Sequence, residues 1–71
     1  MNDSEDPDER ADLISRLFAL LTARLEDAAA MAAESQGRGS REDHGHRAQQ
    51  IASLIDDAAT VNQAILALLG E

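Results

Sequence analysis

The chain has 71 residues, no cysteine and a single aromatic residue, Phe18, so it has room for one small domain held together without disulfides or thiolate-bound metal. Fourteen acidic residues against six arginines give a formal charge of −8, which repels phosphate backbones and anionic membranes over a Debye length of ~8 to 10 Å and counts against a stand-alone nucleic-acid binder. The apolar content is carried by Ala, Leu and Ile, which favour helix and disfavour a β domain.

Residues 1–5 form an acidic, polar start that is expected to be a disordered tail, with a single helical hairpin over 6–70. In Asp6-Pro7-Asp8-Glu9, Asp6 can cap a helix and Pro7 suits its first position, where the missing N–H is no loss. Asp8, Glu9 and Asp12 then place negative charge at the positive end of the helix dipole. Helix 1 is predicted over about 7–35. Within it Ile14, Phe18, Leu21, Leu25, Ala28 and Ala32 recur at 4-3-4-3-4 spacing, the packing seam of a bundle helix. Leu13, Leu17 and Leu20 form a second row beside that seam.

The segment 36–40, Gln36-Gly37-Arg38-Gly39-Ser40, is the one clear break, with Gly37 placed to take a left-handed conformation at the helix end. Ser40 can cap the next helix, with Asp43 as a weak substitute for the Glu or Gln of a capping box. Helix 2 is predicted over about 41–69. It carries Ile51, Leu54, Ala58, Val61, Ile65 and Leu68 at 3-4-3-4-3 spacing, flanked by Ile55, Leu66 and Leu69. The fold class is therefore all-α, an antiparallel, coiled-coil-like two-helix hairpin. Folding at Arg38 would set Leu25 against Ile51, Leu21 against Ile55 and Phe18 against Ala58, leaving Leu66, Leu68 and Leu69 beside Pro7 to Arg10 with no large apolar neighbour.

One antiparallel neighbour covers only one seam. The hairpin core is expected to comprise Ile14, Phe18, Leu21, Leu25, Ile51, Leu54, Ile55, Ala58, Val61, Ile65 and Leu68, whereas Leu13, Leu17, Leu20, Leu66 and Leu69 should face a further copy. Two helices sharing one face bury too little apolar surface to offset the ordering of so many residues, so a homo-oligomeric bundle or ring is expected. Asn62 could set its register.

Residues with chemical potential are few. Asp43, His44 and His46 are ligand types packed together, but positions two apart on a helix point about 200° apart, and Glu-x-x-His is absent, so no metal site is assigned. The pairs Glu26-Asp27 and Asp56-Asp57 fall between apolar positions on solvated faces. There is no nucleophile constellation and no phosphate loop, so no catalytic residue and no cofactor are assigned, and an enzyme is not expected. Arg38, Arg41 and Arg47 gather at the tip and could contact a phosphate or an acidic partner, although Glu42 and Asp43 offset them and direct nucleic-acid binding should be weak or absent. The acidic start and the lack of an apolar run of ~20 residues point away from secretion or membrane insertion and toward the cytoplasm.

The segments Leu13-Ile14-Ser15-Arg16-Leu17 and Arg24-Leu25-Glu26-Asp27-Ala28-Ala29-Ala30, with Gly37-Arg38-Gly39 and a second helix of equal length, resemble the oligomerisation hairpin of phage-type and gene-transfer-agent small terminase subunits. The resemblance covers Asp6 to Leu69. It implies hairpins packed side by side in a ring that recruits a large terminase motor subunit for DNA packaging, here without the helix-turn-helix domain that usually reads DNA in that family. A different reading of the same composition is a small acidic regulator, an antitoxin or adaptor, whose segment Asp3 to Asp12 occupies a basic surface on its target. A ROP-like RNA-binding dimer would need a basic helix face, which this chain lacks.

Overall fold

A computed structural model describes residues 7–70, and the expected tail and the Asp6 cap lie outside them. Two long helices, α1 (Pro7–Glu34) and α2 (Arg41–Leu69), pack antiparallel as a hairpin, a rod of 59 × 15 × 14 Å. Pro7 opens α1, with Asp8 and Glu9 in the first turn. Ser40 caps α2, its hydroxyl accepting a 3.0 Å bond from the Asp43 N–H. Gly70 ends α2 at φ 81°, a left-handed conformation that a side chain would strain, and its N–H bonds back to the Ala67 and Leu66 carbonyls.

Gly37 does not take the left-handed conformation expected of it; among the described glycines only Gly70 does. The chain leaves α1 three residues earlier. The Ser35 N–H reaches the Met31 and Ala32 carbonyls, the Gln36 N–H reaches Ala33, and the Ser35 hydroxyl donates to the Met31 carbonyl at 2.7 Å. The last carbonyls of α1 are satisfied by a tightened final turn, so a glycine cap is not required. A Cβ at Gly39 would stand 2.8 Å from Nε2 of His44, the far end of an exposed side chain that is free to swing aside, so this contact does not demand glycine.

The inner face of α1 is Ile14, Leu17, Leu21, Arg24, Ala28, Met31 and Ser35; that of α2 is Ile51, Leu54, Ala58, Val61, Ile65 and Leu68. These are 3-4 repeats, the a and d positions of an antiparallel coiled coil. Among the described residues only Ala28, Ala58 and Ile65 are buried. The α2 stripe follows the spacing. The α1 stripe corrects it: Leu17, expected on the outer row, lies inside, while Phe18 and Leu25, expected in the core, are each 48% exposed, and Ile55 on α2 is 53% exposed.

Two stripes share Ile14, Leu21 and Ala28. The stripe through Leu17, Arg24 and Met31 turns inward, and the other leaves Phe18 and Leu25 on an outer flank. The cost of the inward stripe is Arg24, half-buried in the seam, whose aliphatic stem can cover apolar neighbours while the guanidinium reaches water.

The register also differs from a fold at Arg38. The covered stripe runs from Ile14 to Ser35 on α1 and from Ile51 to Leu68 on α2, so in an antiparallel pair Ile14 stands level with Leu68 and Met31 with Ile51. The ion pair of Arg47 with Glu34, at 3.9 Å, and a cleft that brings Leu13 to Leu68 and Leu69 fix the same alignment. The shift is nearly two helical turns, ~9 Å. It gives the C-terminal end of α2 the partners that a symmetric fold denied it: Ile65 is the most deeply buried side chain, Leu66 and Leu68 are half-buried, and Leu69 stays 53% exposed. At the other end nearly every residue from Gly37 to Gln50 is exposed, because α2 runs on past the end of the covered seam.

Candidate interaction surface

In an antiparallel coiled coil the residues that follow each d position on one helix border their counterparts on the other, and those that precede each a position do the same on the other side, so the hairpin has two distinct flanks. One flank carries Ser15, Phe18, Thr22, Leu25, Ala29 and Ala32 from α1 and Ala52, Ile55, Ala59, Asn62, Leu66 and Leu69 from α2. None of these is charged, in a chain of which 28% is charged. The strip extends ~26 Å along the rod. Phe18, Leu25, Ile55 and Leu69 stand from it about half-exposed, among small neighbours. Thr22 adds little polarity, since its hydroxyl already donates to the Phe18 carbonyl at 2.9 Å. Asn62 is the one strongly polar group of the strip, at a level between Phe18 and Leu25.

The opposite flank is unlike it. Leu13 and Leu20, 45% and 38% exposed, occupy the end near the termini, and Asp27, Glu34, Gln50 and Asp57 occupy the rest. Covering those carboxylates with an apolar partner would strand charge. Of the outer-row residues expected from the spacing, Leu13 and Leu20 therefore sit on this mixed flank, Leu66 and Leu69 on the uncharged one, and Leu17 within the hairpin. The spacing alone does not reveal the strip through Phe18, Leu25 and Ile55; the signal that could have found it is the simultaneous absence of charge from two adjacent helical rows of both helices.

The tip brings Arg38 and Arg47 to one shallow cleft with Glu34, Glu42, Asp43 and His44, and Arg41 is not part of its lining. A phosphate there would meet carboxylates on every side, and Arg47 already lies against Glu34. His44 and His46 both line this cleft, but among the described residues no group of three or more His, Cys, Asp or Glu converges as metal ligands would. The acidic pairs Glu26-Asp27 and Asp56-Asp57 are exposed, and Thr60 makes a helix-internal bond to the Asp56 carbonyl at 3.2 Å. Arg16 pairs with Asp12 at 2.9 Å on the open surface, worth little.

The expectation that no segment reaches membrane-spanning length and apolarity is corrected by α2, whose mean hydropathy reaches 1.3 over 18 residues. Every such window within α2 contains Asp56 and Asp57, each costing ~2.5 to 3.5 kcal/mol at the centre of a bilayer, so the helix is better matched to a protein partner than to lipid. No protein-family model, curated protein or solved structure matches the chain.

Proposed function

We propose that the chain is a non-enzymatic, self-associating helical hairpin that serves assembly or partner recruitment in the cytoplasm. The observation that carries this reading is the uncharged strip: four large apolar side chains half-exposed on a hairpin that, among its described residues, buries only Ala28, Ala58 and Ile65. Completing the burial of such groups recovers about half of the ~1.5 to 3 kcal/mol available to each, multiplied by the number of copies. A hairpin with so slender a core gains more from that cover than from any internal rearrangement.

The most concrete form of the proposal is a small-terminase-like subunit whose hairpin recruits a DNA-packaging motor. It is supported by the two-helix architecture and by the sequence resemblance described above. A partner motor would meet a rod with one neutral and one acidic flank. The alternative, an acidic regulator on a basic protein surface, draws on the acidic segment Asp3 to Asp12 rather than on the apolar strip.

The test is absolute mass in solution by light scattering, at low and high salt. Self-association through an uncharged strip should give a mass above that of one chain, unchanged by salt. A regulator should be a single chain that binds a basic partner and releases it as salt rises. A salt-independent, helical single chain would refute the proposal.

A further inference from the structure

We infer that the uncharged flank is the docking surface for a second copy of this chain, seated antiparallel across a two-fold axis close to Asn62, so that two hairpins close into a four-helix bundle. The inference rests on the self-association proposed above and deepens it by naming the face, the occupant and the orientation.

Three observations point to a second copy. The face carries no charge along ~26 Å, so its occupant must be equally neutral there, and among the described surfaces of the chain only the same flank qualifies. Its large and small side chains are arranged to interlock with a rotated copy of themselves: Phe18 and Leu25 lie on either side of the middle of the strip, and a two-fold axis through that middle lays Phe18 of one copy beside Leu25 of the other. The single strongly polar group lies near the same middle. A carboxamide is both donor and acceptor, so Asn62 can satisfy Asn62 of the second copy, and a slipped register would leave both unpaired in apolar surroundings.

Charge along the rod selects the orientation. Asp8, Glu9 and Asp12 against Arg10 and Arg16 leave the terminal end net acidic, whereas the tip sets Arg38, Arg41 and Arg47 against Glu34, Glu42 and Asp43 and is balanced. Side-by-side copies pointing the same way, as in a ring, bring acidic ends together. Antiparallel copies place each acidic end over a tip whose charges balance, which removes that repulsion. The acidic flanks of both hairpins then face outward to water.

Because the chain has no cysteine, single thiols report the geometry cleanly. Asn62→Cys and Thr22→Cys place a thiol near the middle of the strip, Gly37→Cys places one at the tip where nothing lies within 4 Å, and Glu26→Cys places one on the charged surface. Each variant is weighed by light scattering and treated with a short thiol cross-linker. The expected result is a two-chain mass in low and high salt, with covalent dimers from Asn62→Cys or Thr22→Cys and none from the other two. A two-chain mass with linkage through Gly37→Cys would overturn the antiparallel orientation. Linkage through Glu26→Cys, or none at all, would overturn the choice of face. A mass of many chains would overturn the closed dimer while leaving self-association standing, and a single-chain mass would remove the proposed function itself.

Discussion

Gly45 stands in the second turn of α2, where nothing lies within 4 Å of the place its Cβ would take and the turn projects past the covered seam. Glycine there weakens the helix through the freedom it must give up. Gly45→Ala should raise stability by about 0.5 to 1 kcal/mol, seen as a higher midpoint in thermal unfolding followed by circular dichroism. Gly70→Ala should do the reverse by about 1 kcal/mol, because φ 81° is hostile to a Cβ. Ser40→Ala removes the acceptor that holds the Asp43 N–H and should cost about 1 kcal/mol, whereas Ser40→Asp, which keeps an acceptor, should cost much less. These three positions respond with different signs, and each sign follows from backbone conformation or a single hydrogen bond.

At the scale of the helix, Leu17 and Phe18 make the sharpest contrast, since these adjacent residues serve different contacts. Leu17→Ser should loosen the hairpin itself and lower its unfolding midpoint at any protein concentration, at a cost of roughly 1 to 3 kcal/mol for a half-buried leucine. Phe18→Ser should lower the solution mass and leave the α1–α2 seam in place, a separation read by combining light scattering with circular dichroism. Much of this level was legible in the sequence. The existence of two helices, the Ser40 cap and the whole α2 stripe follow from periodicity and capping chemistry. The α1 stripe was not legible, because Ile14, Leu21 and Ala28 belong to two overlapping repeats and the choice between them turns on whether Arg24 can be tolerated in a seam. Single-helix periodicity carries no information about that, and the register is hidden for the same reason: it depends on how α2 answers α1, and the loop length alone suggests a symmetric fold.

For the whole molecule, what matters is that folding and association are coupled although they use different side chains, a slender seam inside the hairpin and a neutral flank outside it. If the uncharged flank is covered only in the assembly, the unfolding midpoint of the native chain should rise with protein concentration, as mass action requires, and should lose that dependence in Phe18→Ser. Added salt should leave the wild-type mass unaltered, because the contact holds no charge. The candidate surface was only partly visible before the hairpin was assembled. Leu66 and Leu69 could be placed on an outer row from spacing, but the neutrality of the flank emerges only when the rows of both helices are laid side by side.

The stretch from Gly37 to Gln50, exposed throughout and beyond the covered seam, has a practical consequence. A peptide inserted at Gly37 would lengthen a connection whose closure entropy grows only slowly with length, and it would touch neither the seam nor the neutral flank. The hairpin should accept such cargo at its tip and carry it, in an antiparallel pair, at both ends of one rigid rod.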